Sequence, residues 1–250
     1  MMQYRPAGFN LMPPVVKNLL IINGLFFLAT ISFAGAFQLD LIRLLGLYMP
    51  GSPSFEPYQM VSHMFMHANF NHIFFNMFAL WMFGTAIENL MGSRRFLIYY
   101  LITGFGAAFL HLGVNYIELL SLRNELIAAG LSPAELRQYV ETPPETVRSD
   151  IAGTLASYIR KFLIPTVGAS GAVFGILLAF GMFFPNSYIY LFFAIPIKAK
   201  YFVIAYGILE LYFGIVSRPG DNVAHFAHLG GMLFGYLLIK YWRRKRQIYY

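Results

Sequence analysis

The sequence contains no cysteine, which excludes disulfides, a thiolate nucleophile and a cysteine-ligated metal centre. Charged residues are also scarce, because they make up 12% of the chain against about 25% in ordinary soluble domains. In their place stand long apolar runs, and 58% of the residues are hydrophobic. We therefore expect a polytopic membrane protein, since the 250 residues suffice for about six spans of roughly 20 residues each.

The placement of the basic residues favours the lipid bilayer as a partner and argues against nucleic acid. The net charge is +7, but Lys and Arg lie mostly beside the apolar runs, where they act as topology signals. Most of them fall on the side of the two termini, and positive residues mark the cytoplasmic side. The N-terminus shows no cleavable signal pattern. We expect a multi-pass integral membrane protein of the bacterial inner (cell) membrane, with both termini cytoplasmic.

Six apolar segments are predicted to be the transmembrane helices of a single all-α membrane domain over residues 1–250. They lie at about residues 18–37, 71–91, 96–116, 168–184, 201–216 and 224–242. The pattern also predicts a cytoplasmic N-terminal tail at 1–17 and a basic cytoplasmic C-terminal tail at 243–250. Two proline-bearing apolar stretches, 38–67 and 187–200, are expected to be loops at the membrane interface.

A charged insertion at residues 118–161 separates the third and fourth apolar segments. Within it, Ser132-Pro133-Ala134-Glu135 has the pattern of a helix start, with a serine cap, proline first and glutamate third. Pro143-Pro144 ends that helix. We expect an amphipathic extracytoplasmic insertion of two short helices against the membrane surface.

One short segment, Gly168-Ala169-Ser170-Gly171, stands at the start of the fourth apolar segment. Small residues of this kind commonly let membrane helices pack closely, which is the structural interpretation. The functional interpretation is that Ser170 is a nucleophile that needs a neighbouring base. A serine at a helix N-terminus also lies beside free N–H groups, which favour a developing oxyanion.

Glycine spacing indicates which base would reach Ser170. Two apolar segments carry small residues or histidine at i, i+3 and i+7, namely Gly168, Gly171 and Gly175 in the fourth and His228, Gly231 and Gly235 in the sixth. Two such stripes that face each other allow a close helix contact, which would bring His228 to Ser170. A neutral imidazole there can accept the serine proton and return it to the leaving amine. Since no acidic residue is suitably placed to orient His228, and Glu210 has no assignable partner, the pattern predicts a dyad.

The second apolar segment supplies further polar groups. His72 and Asn76 are four residues apart and lie on one helical face, whereas His67 is expected on a loop or a bent helix start. If His67 turns back toward Asn76, both side chains can donate hydrogen bonds to a tetrahedral intermediate, with His72 in a supporting position. The structural interpretation is that these are interface histidines and that Asn76 bonds a neighbouring helix.

Two other roles for the histidines are weaker. His225 and His228 have the i, i+3 spacing of zinc ligands, but the pair lacks a third ligand and the glutamate of HExxH. We therefore predict no metal and no cofactor. A transporter or proton relay would need paired ionisable residues along a path through the membrane, which only Glu210 could supply.

Glu88 lies four residues from Gly84 and four residues from Gly92, on one stripe near the cytoplasmic end of the second segment. A buried carboxylate in this position can accept hydrogen bonds from loop backbone. A structural role is therefore expected for Glu88.

Taken together, these pieces resemble the rhomboid family of intramembrane serine proteases. The matching motifs, in order along residues 58–241, are His67-x4-His72-x3-Asn76, Gly84-x3-Glu88-x3-Gly92, Gly168-Ala169-Ser170-Gly171 and Ala227-His228-Leu229-Gly230-Gly231-x3-Gly235. The resemblance implies six helices around a water-filled cavity, Ser170 as nucleophile, His228 as base, and His67 with Asn76 at the oxyanion hole. It also implies transmembrane protein substrates that are cleaved through an acyl-enzyme.

Two positions depart from the family's pattern. Tyr58-Gln59 stands where a Trp-Arg pair is frequent in the first long loop. Phe174 stands where tyrosine is frequent, four residues after the nucleophile, and it can still stack on the histidine. The alternative hypothesis is a catalytically inactive relative that binds membrane helices. Such proteins typically lack the serine or the histidine, and both are present here.

Overall fold

The computed structural model describes residues 9–191, 194–216 and 223–245, most of which are helical. The helices are α1 (Pro14–Phe37), α2 (Leu41–Leu45), α3 (Gln59–Ser62), α4 (Phe70–Ala79), α5 (Thr85–Met91), α6 (Ser93–Ala128), α7 (Pro133–Glu141), α8 (Ala152–Leu163), α9 (Ser170–Phe183), α10 (Ala199–Val216) and α11 (His225–Arg244). A π-helical turn (Leu80–Gly84) joins α4 to α5, and a 3₁₀ turn (His63–Phe65) follows α3. The turn predicted at 217–222 and parts of both predicted tails lie outside the described residues.

Among the described residues, four helical runs are long and apolar enough to cross a membrane. They are Pro14–Phe37, Phe70–Met91, Ser93–Ala128 and Ala199–Val216. The α9 helix is apolar but shorter, at 14 residues, and α11 has 20 residues. The prediction of an all-α polytopic membrane protein is therefore confirmed, while the count of six spans stays a prediction.

The α9 helix lies at the centre of the bundle, which explains how a short helix can carry a site. Nine of its 14 residues are buried, and it packs against both α6 and α11. The close approach of α6 depends on Gly175, because a Cβ there would stand 2.6 Å from Thr103 Cβ. The Tyr99 hydroxyl also donates a 2.7 Å hydrogen bond to the Gly175 carbonyl. Ser170, the first residue of α9, is thereby half-buried within the bundle.

Glu88 of α5 forms hydrogen bonds with the start of α1 and the start of α6. Its carboxylate accepts hydrogen bonds from the Val15 amide at 3.0 Å and the Val16 amide at 2.8 Å, and from the Ser93 hydroxyl at 2.7 Å. The first N–H groups of a helix have no intrahelical acceptor, and a carboxylate there also suits the helix dipole. Because Pro14 is favourable as the first helical residue, α1 begins four residues before the predicted residue 18.

The insertion is built differently from the prediction at its N-terminal end. The α6 helix continues to Ala128, well past the predicted end at residue 116, so its last turns form part of the insertion. The two predicted short helices are present as α7 and α8. Together with the end of α6 they form an apolar core that contains Leu126, Leu136 and Leu155, each at most 1% exposed. The predicted helix start is a capping box, in which the amide and hydroxyl of Ser132 donate to Glu135 and lower its pKa.

The stretch 187–200 was expected to be a loop, and the structure corrects this prediction. It contains an antiparallel pair of strands, β1 (Tyr188–Leu191) and β2 (Ile195–Lys198), with Tyr188 opposite Lys198. Exposure alternates along β1, since Tyr188 and Tyr190 are exposed while Ile189 is buried, which is the period of a strand. Pro196 is tolerated because both strands of a two-stranded sheet are edge strands.

Candidate active site

A glycine in an unusual conformation precedes the candidate nucleophile. Gly168 has φ +126°, a region that L side chains rarely adopt. A Cβ at this position would also stand 2.7 Å from Nε2 of His72. The Gly168 amide donates to the carbonyl of His63 at 2.9 Å. This backbone turn leads directly into α9, so that Ser170 begins the helix.

The structure brings Ser170 and His228 together at hydrogen-bonding distance. Ser170 Oγ lies 2.9 Å from His228 Nε2, and His228 is buried at 8% exposure in the first turn of α11. The approach of α11 to α9 depends on Gly231, because a Cβ there would stand 1.8 Å from the carbonyl oxygen of Gly171. The pair therefore has the geometry in which an imidazole can accept a serine proton.

The two glycine stripes meet each other at only one level. Gly171 and Gly231 are in direct contact, as the spacing predicted. Further along, Gly175 approaches Thr103, and a Cβ on Gly235 would stand 2.3 Å from the Tyr99 hydroxyl oxygen. Thr103 and Tyr99 both belong to α6, so Gly175 and Gly235, at the C-terminal ends of the two stripes, face α6. Sequence periodicity shows which face of each helix carries the small residues. It does not show which neighbouring helix packs against that face.

Phe174 lies one turn after Ser170 and stacks on the imidazole of His228. The ring centroids are 4.1 Å apart, and the planes are inclined by 3°. The Phe174 ring also contacts Tyr206 of α10 at a centroid distance of 5.0 Å. The stack limits rotation of the imidazole about its bonds and leaves its two nitrogens to be oriented by hydrogen bonds.

Ser170 and His228 line a large open cavity of about 2370 Å³. His72, Asn76 and Phe174 line the same cavity. The Asn76 side-chain amide donates to the carbonyl of His72 at 3.0 Å, which fixes its orientation along α4. Polar groups that converge in one mostly apolar cavity are the usual form of a binding or active site.

The position of His67 corrects the expectation from the sequence. His67 is 1% exposed and does not line the cavity. Its ring packs edge-on against the ring of His72, with centroids 5.0 Å apart. His72, which was expected only in support, is the histidine that faces Ser170 from α4. The reason is that α4 begins at Phe70, so His72 and Asn76 share one of its faces and line the cavity, whereas His67 precedes the helix.

The expectation that no acidic residue is placed to orient His228 is wrong, because Glu210 contacts it. Glu210 of α10 is 5% exposed, and its Oε2 lies 2.9 Å from His228 Nδ1. The same oxygen lies 2.7 Å from His225 Nδ1. The signal for this residue was present in the sequence, because an ionisable residue within an apolar segment marks a functional position by default. The sequence did not indicate which residue Glu210 would contact.

Glu210 also supplies the third ligand that the zinc hypothesis lacked. The ligand atoms of Glu210, His225 and His228 lie within 4.8 Å of one another. The two nitrogen–oxygen distances of 2.7 and 2.9 Å are those of hydrogen bonds. Tetrahedral zinc ligands, at about 2.0–2.2 Å from the ion, would stand about 3.3 Å apart. The arrangement therefore fits a shared proton acceptor better than a metal centre.

The fold and the site define a class of protein, namely a polytopic membrane bundle with a serine–histidine pair in an open cavity. A family model described as the Rhomboid domain matches residues 54–135 and 144–245. Because this match covers well over half of the chain, the chain belongs to the rhomboid family.

Several rhomboid proteins are similar to the chain. Rhomboid protein 1, mitochondrial, of Saccharomyces cerevisiae is 29% identical over 188 residues, which are 73% of this chain and 42% of that protein. RHOMBOID-like protein 12, mitochondrial, of Arabidopsis thaliana is 28% identical over 69% of this chain and 42% of its own length. Rhomboid protease GluP of Bacillus subtilis is 25% identical over 72% of this chain and 25% of its own length.

The chain spans less than half the length of each of these relatives. GluP is a protease by its name, and the other two are mitochondrial by theirs. The chain is an integral membrane protein, but the two mitochondrial relatives do not support the bacterial inner membrane that was expected from the sequence.

Proposed function

We propose that the chain is an intramembrane serine endopeptidase that cleaves transmembrane segments of membrane proteins. The observation that carries the proposal is the 2.9 Å contact between Ser170 Oγ and His228 Nε2 in a cavity that opens between the helices. A nucleophile and a base within hydrogen-bonding distance are the signature of covalent catalysis. Membership of a family that includes a named protease supports the same activity.

The chemistry follows from the atoms at this contact. The Ser170 Oγ–H bond breaks, its proton passes to His228 Nε2, and Oγ forms a bond to the carbonyl carbon of the substrate. The tetrahedral intermediate then expels the amine, which takes the proton from Nε2, and an acyl-enzyme remains. Water enters the cavity and gives a proton to Nε2 while its oxygen attacks the acyl carbon. The second tetrahedral intermediate then breaks its bond to Oγ, which takes the proton from Nε2, so that Ser170 is regenerated and the carboxylic acid product leaves.

Groups around Ser170 are placed to stabilise the oxyanion of the intermediate. Ser170 begins α9, and the first N–H groups of a helix are free to donate. His72 and Asn76 line the same cavity from α4, and we assign the oxyanion contacts to them together with the Ser170 amide. His67 is left with a packing role behind His72.

Covalent labelling with a fluorophosphonate tests the proposal without knowledge of the substrate. We expect wild-type protein in proteoliposomes to be labelled at Ser170, as located by mass spectrometry, and Ser170→Ala and His228→Ala to lose labelling. Removing either member of such a unit costs nearly the whole rate enhancement. Ser187→Ala is the matched control, because Ser187 is exposed and does not line the cavity.

A panel of fluorescently tagged single-span helices, reconstituted with the protein, tests the cleavage itself. We expect at least one helix to be cut by wild-type protein and by Ser187→Ala, and not by Ser170→Ala. Retained cleavage by Ser170→Ala would overturn the assignment of the nucleophile. Photocrosslinking of the helices without labelling or cleavage by wild-type protein would instead support the alternative of an inactive relative that binds membrane helices.

A further inference from the structure

We propose that Glu210 is a positioning residue for His228, so that the site is an array of Ser170, His228 and Glu210 instead of a two-residue dyad. The expected effect of Glu210 on the reaction rate of Ser170 rests on the proposed function. The structural part of the proposal concerns the tautomer of His228 in the resting protein, which can be measured without any activity.

The contacts place the three groups in a chain. His228 Nε2 lies 2.9 Å from Ser170 Oγ on one side, and His228 Nδ1 lies 2.9 Å from Glu210 Oε2 on the other. Glu210 and His228 are 5% and 8% exposed. A third helix, α10, thus contributes a buried carboxylate at the nitrogen opposite to the one that meets Ser170.

The carboxylate selects the tautomer that catalysis needs. For Nε2 to accept the proton of Ser170, it must carry a lone pair, and the single proton of the neutral ring must then be on Nδ1. A carboxylate only accepts hydrogen bonds, so Glu210 is satisfied when Nδ1 carries this proton. With the Phe174 ring parallel to the imidazole at 4.1 Å, both the plane and the rotation of His228 are then fixed.

The carboxylate also offsets the charge that forms on His228 during the reaction. When the imidazole takes the proton of Ser170 it becomes a cation, and a buried cation without a partner is costly. The negative charge of Glu210, 2.9 Å away, lowers that cost at the moment it arises. A second hydrogen bond from His225 at 2.7 Å holds the carboxylate in place.

A purely structural role would give the same contacts. Glu210 would then only tie α10 to α11, and its loss would lower stability without a specific effect on the state of His228. A carboxylate that positions the base differs, because its removal changes where the proton of His228 resides and how fast Ser170 reacts.

Fluorophosphonate kinetics separate these roles. The maximal labelling rate reports activation of Ser170, and the half-saturating concentration reports binding of the probe. We expect Glu210→Gln to lower the maximal rate by up to about 10⁴-fold, the loss seen when the acid of a catalytic triad becomes an amide, with little change in half-saturation. Glu210→Asp retains the charge and should recover part of the rate.

Glu88→Gln is the matched control, because it removes the same charge from another buried carboxylate, which bonds the start of α1 away from the cavity. We expect it to lower the melting temperature and to leave the maximal labelling rate of the folded protein much higher than that of Glu210→Gln. A maximal rate of Glu210→Gln equal to that of Glu88→Gln would overturn the proposal.

Long-range ¹H–¹⁵N NMR of histidine-labelled protein reads the tautomer without any activity. We expect the His228 signals of resting wild-type protein to show a proton on Nδ1, and those of Glu210→Leu to show a mixture of tautomers. An unchanged tautomer in folded Glu210→Leu would overturn the proposal. If wild-type His228 carries the proton on Nδ1 but Ser170 is not labelled, the proposed function is overturned and the positioning of His228 by Glu210 is not.

Chelation tests whether Glu210, His225 and His228 bind a metal ion instead. We expect EDTA treatment to leave both the labelling rate and the His228 signals of wild-type protein unchanged. A loss of labelling on EDTA that added zinc restores would assign Glu210, His225 and His228 to a metal centre and overturn the positioning role.

Discussion

Gly231 meets Gly171 with no side chain between the two helices, so closely that a Cβ on Gly231 would stand 1.8 Å from the Gly171 carbonyl oxygen. The obstacle is backbone, which cannot move aside as a flexible side chain can. Ser170 is the neighbour of Gly171, and His228 is one turn from Gly231. The distance between the candidate nucleophile and the candidate base is therefore set by a contact of main chain with main chain.

Gly231→Val is expected to separate α9 from α11 and to abolish labelling of Ser170. A displacement of about 1 Å at a reacting pair can cost about 10²-fold in rate. Gly24→Val is the matched control, since nothing lies within 4 Å of a Cβ at Gly24. The measurement is the fluorophosphonate labelling rate of protein whose folding has been checked by its melting temperature. A labelling rate of Gly231→Val equal to that of Gly24→Val would show that this contact does not hold the pair together.

The sequence was sufficient to pair Ser170 with His228, because helical periodicity places both residues on small-residue faces and polar residues within apolar segments are rare. It was not sufficient for Glu210. Periodicity assigns a residue to a face of its own helix, whereas the partner of Glu210 depends on how α10 is rotated against α11. The same limitation explains His67, since its distance from Asn76 depends on the residue at which α4 begins.

The β-hairpin after α9 was missed for a different reason. Its residues are apolar on both sides of Pro196, and apolarity alone does not distinguish an interface loop from a pair of short strands. The alternation of Tyr188, Ile189 and Tyr190 is a strand signal, and Pro196 does not oppose it, because proline is tolerated on an edge strand.

Asn76→Ala is expected to lower kcat far more than it raises KM. Asn76 lines the same cavity as Ser170, and its side-chain amide is oriented by its bond to the His72 carbonyl. A donor that acts only on the oxyanion of the transition state affects the chemical step, and the loss of one costs about 10²–10³-fold in well-studied hydrolases. Steady-state cleavage of a tagged single-span helix measures both constants. A raised KM at constant kcat would instead make Asn76 a substrate-binding or packing residue.

His72 and His67 are expected to respond differently to the same substitution. His72→Ala should lower kcat, because the His72 ring lines the cavity beside Ser170. His67→Ala should mainly lower the melting temperature, because it removes a fully buried ring that packs on His72, and large-to-small changes of buried side chains are destabilising. Parallel kinetics and thermal unfolding of both variants decide this point. A selective kcat loss in His67→Ala with normal stability would restore the role that the sequence suggested for it.

Glu88→Leu is expected to destabilise the start of α1 without a specific effect on the candidate site. The Glu88 carboxylate is 2% exposed, and it accepts from two amides of the first turn of α1 and from Ser93. Hydrogen bonds to charged groups contribute about 1.5–3 kcal/mol each, and buried donors left without an acceptor add a further cost. Hydrogen exchange should show faster exchange of the Val15 and Val16 amides, together with a lower melting temperature. Glu88→Gln keeps one acceptor oxygen and should lie between Glu88→Leu and wild type. Unchanged exchange at Val15 and Val16 in Glu88→Leu would show that Pro14 and lipid contacts suffice to hold the first turn of α1.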